Sequence, residues 1–124
     1  MRYTLLISLV LLSSASFAMA QEDPGACRVY VGTYTGGESE GIYTFTFDTK
    51  AGAPGPVALA VATENPSFLA LHPENPVLYA CGEMAKGGTV SAFRRDSETG
   101  ALTRINDVSS EGAGPCHVAV SPSG

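Results

Sequence analysis

The sequence repeats itself at a spacing of 48 or 49 residues, and this periodicity restricts the possible folds more than any other feature. Three blocks recur: GIYTFTFDTKAG (41–52) as TVSAFRRDSETG (89–100), NPSFLALHP (65–73) as GPCHVAVSP (114–122), and VYV (29–31) as LYA (78–80). The first pair is offset by 48 residues and the other two by 49. Self-similarity at such a period indicates a repeat architecture, in which each unit covers the apolar faces of its neighbours.

Each repeat has the composition of short β-strands separated by turns. Residues 42–47 are β-branched or aromatic throughout, which favours a strand. The full set of predicted strands is 29–34, 42–47, 57–62, 68–71, 78–82, 89–95, 102–108 and 117–120. Asp48 and Asp96 recur at the starts of two turns, where an aspartate caps backbone amides, so we predict that role rather than catalysis for them. No segment after the N-terminal region has a sustained helical period.

Four short strands per unit of this length are typical of a β-propeller blade. We therefore predict an all-β fold, a β-propeller of four-stranded antiparallel blades, of which about two are present. Propellers have about four to eight blades, so we expect the chain to be the N-terminal part of a larger ring, incomplete at its C-terminus. The alternative is a free-standing β-sandwich of about eight strands, which would need no internal repeat.

The first 20 residues have the pattern of a secretory signal peptide. A positive start is followed by an apolar run over residues 5–12 and by Ala18-Met19-Ala20, which has the small-x-small form of a cleavage site. The alternative, a membrane anchor, needs a longer apolar run to cross about 30 Å of hydrocarbon. We predict a signal peptide over 1–20, a short linker over 21–27, a propeller domain over 28–124, and a secreted or periplasmic location.

Charge and cysteine content limit the partners. The formal net charge is −5, and the basic residues form no stripe, which excludes nucleic acid and anionic membrane surfaces as expected partners. The spacing of Cys27, Cys81 and Cys116 fits no zinc motif. An odd number of cysteines leaves two alternatives open: three buried thiols, or one disulfide and one free thiol.

The motifs YVGTYT (30–35), GIY (41–43), NPSFLALHP (65–73) and GPCHVAV (114–120) together resemble the lactonase family of seven-bladed propellers, which includes 6-phosphogluconolactonase-like enzymes. The resemblance covers residues 28–124. It implies two of seven blades and the hydrolysis of a small-molecule sugar lactone by water at the mouth of the central channel. It further implies no metal or other cofactor, a monomer at full length, and catalytic groups that lie mostly in later blades, so that this chain alone would be inactive.

Four residues are candidates for substrate binding, and two of them are weak candidates for catalysis. His117 stands at the start of a predicted innermost strand, where the preceding repeat has Phe68, so the repeat itself does not require a histidine. Glu83 ends a predicted strand and matches a family glutamate, although Gly82 replaces the asparagine usual before it. Tyr34 and Thr33 occupy the same place in the first repeat. Structural roles in the channel wall or loops are the alternative for all four.

Two functions remain open from the sequence. The first is an exported lactonase-type hydrolase. Because phosphorylated sugar lactones are cytosolic, export favours an unphosphorylated substrate. The second is a non-catalytic exported propeller that binds glycans or proteins. Other polar residues are assigned no function here: His72 lies in a predicted turn, and Arg94 and Arg95 are predicted to be surface charges.

Overall fold

The computed structural model describes residues 25–124, which form two four-stranded sheets. The first sheet contains β1 (Ala26–Val31), β2 (Gly41–Asp48), β3 (Ala53–Pro54) and β4 (Ala58–Ala62). The second contains β5 (Pro66–Leu71), β6 (Val77–Gly82), β7 (Thr89–Arg95) and β8 (Leu102–Ser109). All pairings are antiparallel. In this part of the chain no helix is long and apolar enough to cross a membrane. The predicted signal peptide lies outside the described residues.

The two sheets follow the sequence repeat. The second sheet is a meander in the order β5-β6-β7-β8. In the first sheet β1 pairs with one edge of β2, and both β3 and β4 pair with the other edge. By the repeat offset β1, β2 and β4 correspond to β6, β7 and β8. The prediction of four-stranded antiparallel blades is thereby confirmed.

The repeated aspartates cap turns, as predicted. Asp48 Oδ1 accepts hydrogen bonds from the backbone amides two and three residues later, both at 2.8 Å. Asp96 Oδ1 accepts the equivalent pair at 3.1 and 2.8 Å. These local bonds satisfy amides that the adjoining strands leave unpaired, which explains why aspartate recurs at these turns.

The hydrophobic core lies between the two sheets. Ile42 on β2 packs with Leu78 on β6 and Phe93 on β7, and all three side chains are fully buried. The guanidinium of Arg104 lies 4.9 Å from the centre of the Phe93 ring, and its Nη2 donates to Thr63 Oγ1 at 2.8 Å. Neither sheet therefore buries its apolar face without the other, as expected for adjacent blades.

One predicted strand is wrong, one is shifted by three residues at each end, and most of the others differ by one or two residues at an end. Residues 117–120 join no sheet in the described chain. By the repeat offset they correspond to β5, which bonds to β6, and among residues 25–124 no strand runs beside them to complete such a ladder. Residues 118–120 line a cleft with Tyr79 and Val90 on the second sheet instead. The strand predicted over 29–34 is shifted: β1 begins at Ala26, inside the segment expected to be a linker, and ends at Val31.

The cysteines are all free thiols. Cys81 on β6 is buried, whereas Cys27 and Cys116 are exposed. Both alternatives drawn from the sequence are therefore wrong, because the structure has no disulfide among these residues and only one of the three thiols is buried.

Candidate functional site

Two predicted site residues meet at the edge of the molecule where β1 and β6 end. The Tyr34 hydroxyl donates a hydrogen bond to Glu83 Oε2 at 2.9 Å. The two residues are 49 positions apart, which is the repeat spacing. They therefore occupy equivalent places in successive sheets, and the contact between them joins the loop of one repeat to the loop of the next.

Hydrogen bonding keeps Glu83 ionised. The Ser67 hydroxyl beside it lowers the pKa of the Glu83 carboxyl, and the bond from Tyr34 lowers it further. The same carboxylate raises the pKa of the Tyr34 phenol, so Tyr34 remains a donor. Ser67 Oγ is buried and forms no hydrogen bond of ordinary geometry within residues 25–124, so its contact with Glu83 is less direct than that of Tyr34. The edge thus presents a carboxylate flanked by two hydroxyls.

Asn65, just before β5, fixes the relative positions of the two loops. Its Oδ1 accepts from the Thr35 backbone amide at 2.9 Å, and its carbonyl accepts from the Glu83 amide at 3.0 Å. Asn65 has a φ of 42°, in the left-handed region that asparagine tolerates better than most residues. Its repeat counterpart, Gly114, has a φ of 60°. One side chain and its own carbonyl therefore link the segments that carry Tyr34 and Glu83.

His117 lies at the same edge. Its ring packs against Phe68, the residue after Ser67, with ring centroids 4.3 Å apart and planes inclined by 45°. Phe68 and His117 are also 49 residues apart, so this second contact again joins equivalent positions of successive repeats. The imidazole is exposed and forms no hydrogen bond within the described residues. Its nitrogens are therefore free to act on a ligand.

The remaining candidate, Thr33, has a structural partner, and so does His72, to which no function was assigned. The Thr33 hydroxyl donates to the Gly41 carbonyl at 2.7 Å, so it braces the loop that carries Tyr34. His72 lies in the β5–β6 turn at the opposite end of the strands, where its Nδ1 accepts from the amides of Glu74 and Asn75 at 3.1 and 3.0 Å. In the described part of the chain, no group of three or more His, Cys, Asp or Glu side chains is placed to hold a metal ion.

Residues 28–124 match the family model described as Lactonase, 7-bladed beta-propeller. The chain belongs to this lactonase family. Among curated relatives, it is 42% identical over 91 residues to the 6-phosphogluconolactonase of Bacillus subtilis, in an alignment that covers 73% of this chain and 26% of that protein. A 6-phosphogluconolactonase of Formosa agariphila is 32% identical over 99 residues. The chain thus spans about a quarter of the length of these relatives.

Solved structures agree with the lactonase fold. The periplasmic gluconolactonase of Pseudomonas aeruginosa superposes with a TM-score of 0.69 at 30% identity, over 73% of this chain and 26% of that chain. A Bacteroides fragilis structure superposes with a TM-score of 0.75 at 34% identity, over 81% of this chain and 28% of that chain. The two sheets described above therefore match part of a seven-bladed lactonase propeller.

Sequence reasoning missed two residues, Ser67 and Asn65, of the edge that carries Tyr34, Glu83 and His117. Ser67 was overlooked because its position in the next repeat is Cys116, so the repeat does not mark it as polar. Asn65 carried a usable signal, since its counterpart is a glycine and both asparagine and glycine favour left-handed backbone. That pairing predicts a special backbone conformation, although not the hydrogen bonds that Asn65 makes.

Proposed function

We propose that the protein to which this chain belongs hydrolyses an unphosphorylated sugar lactone outside the cytoplasm. Three observations support this: the family, the signal-peptide pattern of residues 1–20, and the similarity to a periplasmic gluconolactonase. The Tyr34–Glu83 hydrogen bond is the observation that carries the assignment to this edge. It joins two successive repeats through two side chains that the sequence analysis identifies as candidate site residues.

Opening a lactone requires a water molecule aimed at the carbonyl carbon, a base for the proton of that water, and a donor for the oxyanion that develops. A carboxylate with a lowered pKa is a weak base, but it stays ionised and therefore accepts hydrogen bonds. Glu83 is thus suited to binding the hydroxyl groups of a sugar. Tyr34 orients that carboxylate. General bases work best with a pKa near the operating pH, which suits imidazoles as a class. We assign proton transfer to His117: its imidazole takes the proton of the attacking water and returns it to the ring oxygen when the acyl C–O bond breaks.

The test is hydrolysis of glucono-δ-lactone by the full-length protein, followed by acid release at constant pH. His117→Ala is expected to lower kcat by about a hundredfold or more, the usual contribution of general acid–base catalysis. The matched control is His72→Ala, which removes the other histidine of the chain and should change kcat by less than about twofold. Glu83→Gln should act mainly on KM, since it weakens binding of substrate hydroxyls.

Substrate choice is measured on the same protein with 6-phosphogluconolactone. We expect kcat/KM to favour the unphosphorylated lactone by about tenfold or more, a difference of about 1.4 kcal/mol in transition-state binding. Equal effects of the two histidine variants would remove His117 from the mechanism. No hydrolysis by the wild-type protein above the spontaneous rate, together with saturable glycan binding, would favour the non-catalytic alternative.

A further inference from the structure

A polar cleft lies at the opposite end of the strands from the edge that carries Tyr34, Glu83 and His117. Its volume is about 290 Å³, and it opens between the first sheet and the β5–β6 and β7–β8 turns. Two prolines, Pro73 and Pro76, form part of its walls, and the other lining residues are polar or charged: Arg28, Tyr30, Glu74, Asn75, Arg95, Asp96 and Ser97. Because the β5–β6 turn lines this cleft and Glu83 follows the opposite end of β6, the cleft is separate from the site proposed for lactone hydrolysis.

Arg95 lines this cleft, and one nitrogen of its guanidinium lacks a hydrogen-bond partner. Its Nε is buried and has no hydrogen-bond partner within residues 25–124. Buried polar groups are nearly always hydrogen-bonded, and a charged donor left without an acceptor is costly. Arg95 was expected to be a surface charge like Arg94. The structure keeps Arg94 exposed but makes Arg95 half-buried, which corrects that prediction.

A second guanidinium and a phenol lie beside Arg95. Arg28 is fixed at the rim because its Nη2 donates to the Glu98 carbonyl at 2.9 Å. Burial raises the pKa of Tyr30, and the charges of Arg95 and Arg28 oppose that rise. Tyr30 therefore keeps its proton near neutral pH, and its hydroxyl forms no hydrogen bond among the described residues. Two guanidinium groups and one hydroxyl donor thus line a single small volume.

Two carboxylates also line the cleft, and they differ in availability. Asp96 is occupied, because its Oδ1 accepts from the amide and hydroxyl of Thr99 at 2.8 Å each and from the Glu98 amide. Glu74 is exposed and forms no side-chain hydrogen bond in the described chain. Glu74 therefore remains an unpaired negative charge, and Asp96, whose hydrogen bonds lower its pKa, is a second negative charge beside the arginines. Both oppose an anion bound there.

We propose that this cleft binds a small molecule through an oxyanion, either a carboxylate or a phosphate, held by Arg95, Arg28 and the Tyr30 hydroxyl. Guanidinium groups bind both kinds of oxyanion through charge-assisted hydrogen bonds. The volume is at the lower end of ordinary ligand sites, which suits a compact ligand. The chain carries a net charge of −5, so saturable anion binding would report a specific site rather than general attraction.

The test is isothermal titration calorimetry of the full-length protein with inorganic phosphate and, separately, with malonate. Saturable binding of either probe supports the site, and the probe that binds distinguishes the phosphate from the carboxylate source. Arg95→Gln should weaken binding by about tenfold, the value of one charge-assisted hydrogen bond. The matched control, Arg94→Gln, removes the same charge one residue away and should change affinity by less than about twofold.

Glu74→Gln gives an effect of opposite sign. Removing this exposed negative charge should tighten binding by about threefold, a modest effect because solvent screens the interaction. If Arg95→Gln loses its native circular dichroism, Arg28→Gln replaces it with the same expected weakening. The proposal is overturned if neither probe shows saturable binding at concentrations up to about 20 mM, because a site with a Kd in the low millimolar range would be largely occupied there. It is also overturned if Arg94→Gln weakens binding as much as Arg95→Gln does.

Discussion

The core shared by the two sheets leads to a quantitative prediction from one pair of isoleucines. Ile42→Val and Ile105→Val delete the same methylene group from β-strands. Ile42 is 0% exposed in the core between the sheets, whereas Ile105 is 49% exposed on β8. A buried methylene contributes about 0.8 kcal/mol, and the cavity it leaves brings the usual cost of Ile→Val in a core to about 0.5–1.5 kcal/mol.

We therefore expect Ile42→Val to lower the free energy of unfolding by about 1 kcal/mol. Ile105→Val should cost less than about 0.4 kcal/mol, because half of that side chain already contacts solvent and no closed cavity forms. The measurement is urea denaturation followed by far-ultraviolet circular dichroism, with the shift in midpoint multiplied by the mean slope. Both variants keep a β-branched side chain, so strand propensity does not differ between them.

Amide hydrogen exchange supplies a second readout of the same core. Ile42 belongs to β2, but its packing partners Leu78 and Phe93 belong to the second sheet. Ile42→Val should therefore speed exchange in β6 and β7 as well as in its own sheet. Equal destabilisation by the two isoleucine variants would refute the burial argument. Faster exchange confined to the first sheet would show that the sheets do not stabilise each other.

Three further predictions concern the loops and thiols. Ser67 and Tyr34 both lower the pKa of Glu83, so any acid limb that this carboxyl contributes to the pH profile of kcat/KM lies below that of an ordinary glutamate. Tyr34→Phe removes one of these two causes and should move that limb to higher pH. Cys116 should react with a maleimide well before Cys81, whose thiol is buried and whose pKa burial raises; equal labelling rates would contradict the fold at β6. Gly32→Ala should lower the free energy of unfolding by about 1–3 kcal/mol, because an added Cβ would clash with the backbone carbonyl oxygen of Pro66 on β5. Thermal or urea unfolding measures this, and an unchanged midpoint would contradict the close approach of the two strands.

The repeat made the sheets predictable because strand composition and turn chemistry are local properties. Residues 42–47 carry their β-branched and aromatic pattern wherever they are placed, and Asp48 caps amides only two and three residues away. The 49-residue offset also predicted that Tyr34 and Glu83 share one location in successive units, and the structure brings them within hydrogen-bond distance.

What the sequence left unpredicted depends on contacts between distant segments. Residues 117–120 have strand composition, but a ladder needs a neighbouring strand, and composition does not report whether one is present. Arg95 is partly buried because the first sheet lies beside the end of β7. The sequence around residue 95 does not predict that neighbour. The proximity of Ser67 to Glu83 likewise depends on the pairing of β5 with β6, which brings the start of one strand beside the end of the other.

The contact between residues 49 positions apart has a consequence for how such a propeller diversifies. If each repeat places its equivalent residue at this edge, as it does for Tyr34 and Glu83, then the edge consists of positions that can be substituted independently of one another. A single nucleotide substitution in one repeat then changes one of these side chains and leaves the β-sheets unchanged. New ligand preferences can then arise one unit at a time, without a redesign of the scaffold.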